Sequence, residues 1–310
     1  MNTVSLKAYA KLNLSLDIVG RRADGHHLIS TVMQTVSLHD VVTLSETDTG
    51  AIEVNCSDSS VPAGRENLAH AAAGLFFELT GLACRGLRIM IEKNIPSGAG
   101  MGGASTDAAA VLRGLRQMYR PKMDYHELVK TSLTLGADVP FCLTGGTCLC
   151  EGIGEVLTPL SAIPDCRFVI VKPNFSQSTR EAYALFDRAD IGSLGNTGPM
   201  VEAIKAGDMS GICRAVSNVM ELSLDNSEVR AVKSSLIANG AQAAAMTGSG
   251  SAVFGLFFDH ESARRAAKEI ATAEPYLFVN VAAPLYLVGS DAPAVRIDYI
   301  APLSSVQGDI

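Results

Sequence analysis

The sequence lacks an excess of basic residues. Its 25 lysines and arginines are outnumbered by 32 aspartates and glutamates, which gives a formal net charge of -7. Proteins that bind nucleic acid need basic surfaces to neutralise phosphates, and no stretch of this chain interleaves basic with aromatic residues. We therefore expect no nucleic acid partner, although one loop and one lysine are enough to bind a small anionic substrate.

Long apolar runs and a signal peptide are also missing. No apolar run approaches the roughly 18 residues of a membrane-spanning helix, and Met1 to Leu16 lack the basic-then-apolar plan of a secretory signal. The seven cysteines are odd in number and follow no disulfide or metal-ligand spacing. Cys148 and Cys150, which could share one face of a strand, are expected to be buried thiols. These absences predict a cytoplasmic protein with no membrane partner.

The chain is long enough for two packed domains. It has 310 residues, of which 47% are hydrophobic and 18% are charged, and domains commonly hold roughly 150 residues each. Two prolines precede an apolar strand at 168–171, which puts the boundary near 152–165. We expect an N-terminal domain at 1–158, a C-terminal domain at 159–286, and a tail at 287–310 to which no role is assigned.

Strands and helices alternate through both halves. From Lys11 to Val19, apolar residues alternate strictly with Lys11, Asn13, Ser15 and Asp17, which predicts a strand with one polar face. A second strand covers 87–91. Helices are predicted at 68–80 between an Asn67 cap and Gly81, from a Ser105 cap to about 119, from Asp124 to Gly136, and near 179–188, 201–206, 227–239 and 261–273, with further strands at 168–171, 243–246 and 252–258.

A glycine-rich loop between the strand at 87–91 and the following helix is the strongest functional signal. Its glycines let backbone N–H groups surround an anion, and the helix start adds unpaired N–H groups and a favourable dipole. The hydroxyls of Ser105 and Thr106 are further candidates for contacts with phosphate or a metal ion. The predicted nucleotide-binding residues are Pro96, Ser97, Gly98, Ala99, Gly100, Met101, Gly102, Gly103, Ala104, Ser105 and Thr106.

Three interpretations of this loop compete. The P-loop of nucleoside triphosphatases is excluded, because Ala104 stands where that motif requires lysine. Gly98, Gly100 and Gly103 match the dinucleotide-binding fingerprint, which would suit an oxidoreductase, but that motif normally follows its strand directly. A plain structural turn also stays open on spacing alone.

The loop segment and motifs elsewhere in the chain together give a more specific signal than the glycine spacing alone. A Pro-x-x-x-Gly-x-Gly-Gly-x-Ser segment that enters an alanine-rich helix resembles the phosphate loop of the GHMP kinases, the superfamily of galactokinase, homoserine kinase, mevalonate kinase and phosphomevalonate kinase. Across approximately 4–286, the order of motifs resembles the family of 4-diphosphocytidyl-2-C-methyl-D-erythritol kinases. These motifs are Ala10 to Leu14, Arg22 to His27, Leu135 to Pro140, Glu151 to Glu155 and Thr247 to Gly250.

The resemblance implies an α+β protein with a ribosomal-protein-like N-terminal domain and a ferredoxin-like C-terminal domain. It implies an ATP-dependent transferase that phosphorylates the 2-hydroxyl of the cytidylylated methylerythritol, with Mg2+ as a cofactor, for isoprenoid precursor synthesis. The protein would be a monomer or a homodimer. A homoserine or mevalonate type of GHMP kinase, a dinucleotide-dependent oxidoreductase, and a non-catalytic ATP-binding regulator stay as alternatives.

The same resemblance assigns roles to individual side chains. Lys11 and Asp138 would lie at the reacting hydroxyl, with the carboxylate as proton acceptor and the ammonium offsetting charge. His26 stands where the family commonly has tyrosine, which leaves less ring area for stacking. No metal ligand is named. The implied substrate-binding residues are Asn13, His26, His27, Tyr183, Thr247, Gly248 and Ser249.

Overall fold

The computed structural model describes residues 2–120, 122–189, 191, 195–273 and 278–286. The predicted tail at 287–310 lies outside these residues. The described strands are β1 (Thr3–Arg21), β2 (His27–Glu46), β3 (Ile52–Cys56), β4 (Leu87–Glu92), β5 (Thr147–Glu151), β6 (Val156–Pro159), β7 (Arg167–Lys172), β8 (Ser217–Asn218), β9 (Ala243–Met246), β10 (Val253–Phe257) and β11 (Phe278–Ala282). The described helices are α1 (Leu68–Thr80), α2 (Gly103–Tyr119), α3 (Tyr125–Ser132), α4 (Val139–Thr144), α5 (Thr179–Ala189), α6 (Thr197–Ala206), α7 (Met209–Ala215), α8 (Met220–Leu224), α9 (Ser227–Ala238) and α10 (His260–Ala273).

The first sheet is built around two long antiparallel strands. β1 pairs with β2 along most of their length, and the strand order is β3-β4-β2-β1-β8, with β5 on another part of β2 and β6 beside β5. The alternation predicted for β1 is confirmed, because Leu12 and Leu14 are buried on one face while Lys11 and Asn13 share the other. Helices α1 to α4 cover this sheet through a core that includes Phe76.

The second sheet has the ferredoxin-like arrangement that was expected. Its strands are antiparallel in the order β11-β7-β10-β9, and the chain runs through them as strand, helices, two strands, helix and strand. Helices α9 and α10 pack against it through Val232 and Ile270. A further core lies between the two sheets and includes Leu12, Phe168 and Phe254.

Local capping explains several helix boundaries. Asn67 Oδ1 accepts a hydrogen bond from Ala69 N at 2.8 Å, and Gly81 ends α1 at φ 64°, as predicted. Ser105, however, does not cap α2. Gly102 adopts φ 71° just before the helix and Thr106 N already bonds Gly102 O, so Ser105 lies inside the first turn.

The helix predicted to run to Gly136 ends earlier. Asp124 caps α3 by accepting from His126 N at 3.0 Å, but the helix stops at Ser132. Thr134 N, Leu135 N and Gly136 N then bond carbonyls only three residues back, which makes tight turns instead of an α-helix. All seven cysteines are free. Within the described ranges no helix combines the length and apolarity that a bilayer crossing demands.

Candidate active site

A cavity of about 1220 Å³ opens beside the loop that precedes α2. This volume exceeds the roughly 300–1000 Å³ of an ordinary single-ligand pocket, so two ligands have room to meet. The wall combines the glycine-rich loop, the turn after β9, the start of α5 and the segment before β2. Every site residue predicted from the sequence lines this cavity except Thr106 and Thr247.

The glycine-rich loop has an alternating backbone. Gly98, Gly100 and Gly102 have φ values of 63°, 72° and 71°, whereas Ala99 and Met101 between them are buried in the core that joins the sheets. Left-handed residues alternating with ordinary ones form a concave anion-binding nest of backbone amides. The first turn of α2 follows at once and adds its unpaired N–H groups.

A second glycine turn locks this loop in place. Ser251 N donates to Gly98 O at 3.3 Å, and Ala252 N donates to Ala99 O at 3.2 Å. A Cβ at Gly100 would lie 2.2 Å from Thr247 O, so only glycine fits there. The turn after β9 therefore lies against the glycine-rich loop.

Lys11 and Asp138 come together at one end of the loop. Lys11 Nζ lies 3.5 Å from Asp138 Oδ2 and donates to Asn13 Oδ1 at 2.8 Å. The Lys11 side chain is 5% exposed and that of Asp138 is 30% exposed, so the carboxylate is open to the cavity. Asp138 precedes α4 but makes no side-chain cap bond. A Cβ at Gly102 would contact both side chains, which sets the pair directly beside the loop.

The polar face of β1 is held by buried hydroxyls. Asn13 Nδ2 donates to Thr31 Oγ1 at 2.9 Å, and Asn13 N donates to Thr247 Oγ1 at 3.0 Å. Thr247 is fully buried, so it orients Asn13 and does not face the cavity. Thr106 donates to Tyr9 O at 2.8 Å and is buried too, which ties α2 to β1. Both threonines thus support the site from behind.

Aromatic rings gather at another end of the cavity. The rings of His27 and Tyr183 stack with centroids 4.5 Å apart and planes 13° from parallel. His27 Nε2 lies 2.6 Å from Asp187 Oδ1, and burial raises the pKa of Tyr183 to about 12. The side chain of His26 is 65% exposed beside Asp24. This end offers flat ring surfaces and hydrogen-bonding groups to a planar ligand.

A buried charge cluster at the base of the loop was not predicted from the sequence. Lys93 Nζ donates to Asp40 Oδ2 at 2.5 Å and to Asp107 Oδ2 at 2.8 Å. Asp40 Oδ1 accepts from the backbone N–H groups of Asn94 and Ile95, just before the loop. The cluster therefore clamps both ends of the loop. Lys93 and Asp107 flank the loop in sequence, which is a signal, but nothing in the sequence points to Asp40.

Burial perturbs the titration of this cluster. Desolvation raises the pKa of Asp107 to about 7, with Lys93 acting against it and Asp40 adding to it. Burial alone would lower the pKa of Lys93, but the two carboxylates outweigh it and raise that pKa. One ammonium is thus shared between two buried carboxyl groups. Across the described residues, no group of three or more histidine, cysteine, aspartate or glutamate side chains is arranged to hold a metal ion.

Relatives match most of the chain, and two family models match one segment in each half. The model for the GHMP kinases N terminal domain matches 67–146, and that for the GHMP kinases C terminal matches 200–275. A 4-diphosphocytidyl-2-C-methyl-D-erythritol kinase of Clostridium tetani is 41% identical over 279 residues, which cover 89% of this chain and 99% of that protein. The kinase of that name in Caldicellulosiruptor bescii is 41% identical and covers 86% of this chain and 94% of its own length.

Solved structures give the same likeness. A crystal structure of 4-(cytidine 5'-diphospho)-2C-methyl-D-erythritol kinase superposes with a TM-score of 0.76 and 33% identity, and covers 91% of this chain and 99% of that one. Homoserine kinase from Cytophaga hutchinsonii superposes with a TM-score of 0.72 at 20% identity, and covers 93% and 96%. The second likeness concerns the fold alone.

Proposed function

The chain belongs to the GHMP kinases and, within them, to the family of 4-diphosphocytidyl-2-C-methyl-D-erythritol kinases, and we propose from this that it phosphorylates the 2-hydroxyl of that substrate with ATP. The reaction moves the γ-phosphoryl group to the hydroxyl oxygen and releases ADP. Its place is the synthesis of isoprenoid precursors without mevalonate, as the family resemblance implies.

One observation carries the proposal: the Lys11–Asp138 pair stands beside Gly102, where the phosphate loop enters α2. Phosphoryl transfer needs mainly positioning and charge stabilisation. Asp138 would accept the proton of the attacking hydroxyl, and Lys11 would offset the charge that develops during transfer. Asn13, which accepts a hydrogen bond from Lys11, would hold that ammonium in place.

The aromatic end of the cavity supports a cytidine-bearing substrate. Homoserine and mevalonate are small alcohols without a nucleobase, so their kinases do not need stacked aromatic rings to bind the acceptor. His27 and Tyr183 offer a flat surface, and Asp187 would orient the His27 ring toward hydrogen-bonding groups of the cytosine. His26 would contribute less stacking area than the usual tyrosine.

Magnesium, location and assembly are finer parts of the proposal. Magnesium binds few protein groups directly and relies on phosphate oxygens and water. The hydroxyl of Ser105, which lines the cavity, would be a protein ligand of such an ion. When bound, the ion would balance phosphate charge. We also propose that the enzyme works in the cytoplasm as a monomer or a homodimer, which light scattering distinguishes.

A panel of acceptors tests the proposal. The protein is incubated with Mg-ATP and, in separate reactions, with 4-diphosphocytidyl-2-C-methyl-D-erythritol, homoserine, mevalonate and galactose, and products are identified by mass spectrometry and 31P NMR. We expect only the cytidylylated tetrol to gain a phosphate. Faster phosphorylation of homoserine or mevalonate would point to another GHMP activity. ATP binding without any product would indicate a regulator, and a nicotinamide absorbance change would indicate an oxidoreductase.

A further inference from the structure

The cavity contains one cation that the protein itself does not neutralise. Four lysines and arginines line it in the described part of the chain. Lys11 pairs with Asp138, Arg21 pairs with Asp187, and Lys93 is shared by Asp40 and Asp107. Arg180, the remaining one, forms no ion pair or hydrogen bond with any described residue. An exposed guanidinium in a binding cavity is therefore available to a ligand.

Arg180 lies between the two ends of the site. It belongs to the first turn of α5, where its neighbour Thr179 has its hydroxyl 3.2 Å from Ser249 Oγ. The adjacent Gly248 is so close to the reacting end that a Cβ there would lie 3.2 Å from Lys11 Nζ. One turn further along α5, Tyr183 stacks on His27. Residues three apart share a helix face, so Arg180 and Tyr183 line the same wall.

The proposed substrate has its charges at the corresponding place. A diphosphate separates its cytidine from the tetrol, whose hydroxyl must reach Lys11 and Asp138 while the base reaches the rings. The diphosphate must then pass the first turn of α5. We propose that Arg180 binds this diphosphate, and so makes the site select cytidine diphosphate esters over uncharged cytidine compounds; this rests on the proposed function.

The chemistry of arginine suits this task. Its planar guanidinium presents a fork of donors that matches two phosphate oxygens, and such charge-assisted hydrogen bonds are about twice as strong as neutral ones. The N-terminus of α5 also places the positive end of the helix dipole near the diphosphate. Arg180 does not take part in capping α5, because Ser178 Oγ accepts a hydrogen bond from Glu181 N and donates one to the Glu181 carboxylate. Arg180 is left for the ligand.

Binding measurements separate this contact from base stacking. Arg180→Gln is titrated by NMR with cytidine and with CDP, in the presence of a saturating non-hydrolysable ATP analogue that occupies the phosphate loop. We expect the affinity for CDP to fall by about 10- to 100-fold, with cytidine changed by less than about twofold. Arg180→Lys should recover part of the CDP affinity and leave a weaker, single-point contact.

A matched control lies on the same helix. Arg188 is exposed on α5 but does not line the cavity, so Arg188→Gln should bind CDP as the wild type does. An unchanged CDP affinity in Arg180→Gln, or an equal loss of affinity for CDP and cytidine, would overturn the inference. Because these are binding measurements, they are distinct from the acceptor panel: a wild type that does not phosphorylate the cytidylylated tetrol would defeat the proposed function instead.

Discussion

Replacement of Gly100 by alanine tests how the glycine-rich loop is built. Gly100 has φ 72°, and a left-handed backbone costs an alanine about 1–2 kcal/mol. The added Cβ would also lie 2.2 Å from Thr247 O, 2.9 Å from Gly250 N and 3.1 Å from Gly250 O. These are backbone atoms, so no side chain can rotate away, and the first contact must lengthen to at least 3.0 Å.

The loop and the turn after β9 must therefore separate. Overpacking of this kind costs about 1–3 kcal/mol, so the total loss in free energy of unfolding should reach about 2–5 kcal/mol. A displacement of about 1 Å at a catalytic site lowers the rate by about 100-fold. We expect Gly100→Ala to lose about that factor in kcat/KM for ATP.

Gly81→Ala is the matched control. Gly81 ends α1 at φ 64°, and a Cβ there would meet nothing within 4 Å. It carries the same backbone strain without the clash, so it should lose only about 1–2 kcal/mol and keep its activity. Urea denaturation and steady-state kinetics of both variants compare the two effects. Equal losses of stability, with activity intact in Gly100→Ala, would refute the reasoning.

Three other perturbations test the site. Asp138→Asn should lower kcat by about 100- to 10,000-fold while the KM for ATP stays near normal, because a general base is lost and the loop is untouched; near-normal turnover in steady-state assays would contradict this. Tyr183→Leu should raise the KM for the cytidylylated substrate roughly tenfold, whereas Tyr183→Phe keeps the ring and should change it little; equal effects of the two variants would speak against stacking. Asp107→Asn should alter the pH dependence of stability. The folded pKa of Asp107 lies near 7 against an ordinary 3.8, so its bound proton stabilises the fold fully below about pH 4, and that stabilisation is lost as the pH rises through about 7. Between about pH 4 and pH 7, the free energy of unfolding of the wild type should fall relative to that of the variant by at most about 1.4 kcal/mol per pH unit. Denaturation of both proteins at pH 5, 6, 7 and 8 measures this difference, and a difference that does not change with pH would contradict the prediction.

Local signals in the sequence predicted local structure well. The alternation in β1, the Asn67 cap and the Gly81 stop each depend on groups within a few residues, so the pattern contains the whole cause. The predicted start of α2 was wrong, because glycine can adopt a positive φ and Gly102 therefore serves as the N-cap, upstream of Ser105. The dinucleotide alternative fails on topology: β4 is antiparallel to β2, and α2 is followed by another helix.

The chain's motifs alone determined the family, and they predicted a phosphate-binding loop and the residue types for transfer, because glycines, one lysine and one carboxylate have the chemistry that such a transfer needs. Tertiary structure decided which of them meet. Lys11 and Asp138 lie far apart in sequence and become neighbours only because β1 and the start of α4 converge on Gly102. The ion pair between Asp40 and Lys93 likewise depends on tertiary structure. It forms because β2 and β4 pair in one sheet, so residues far apart in sequence become buried together.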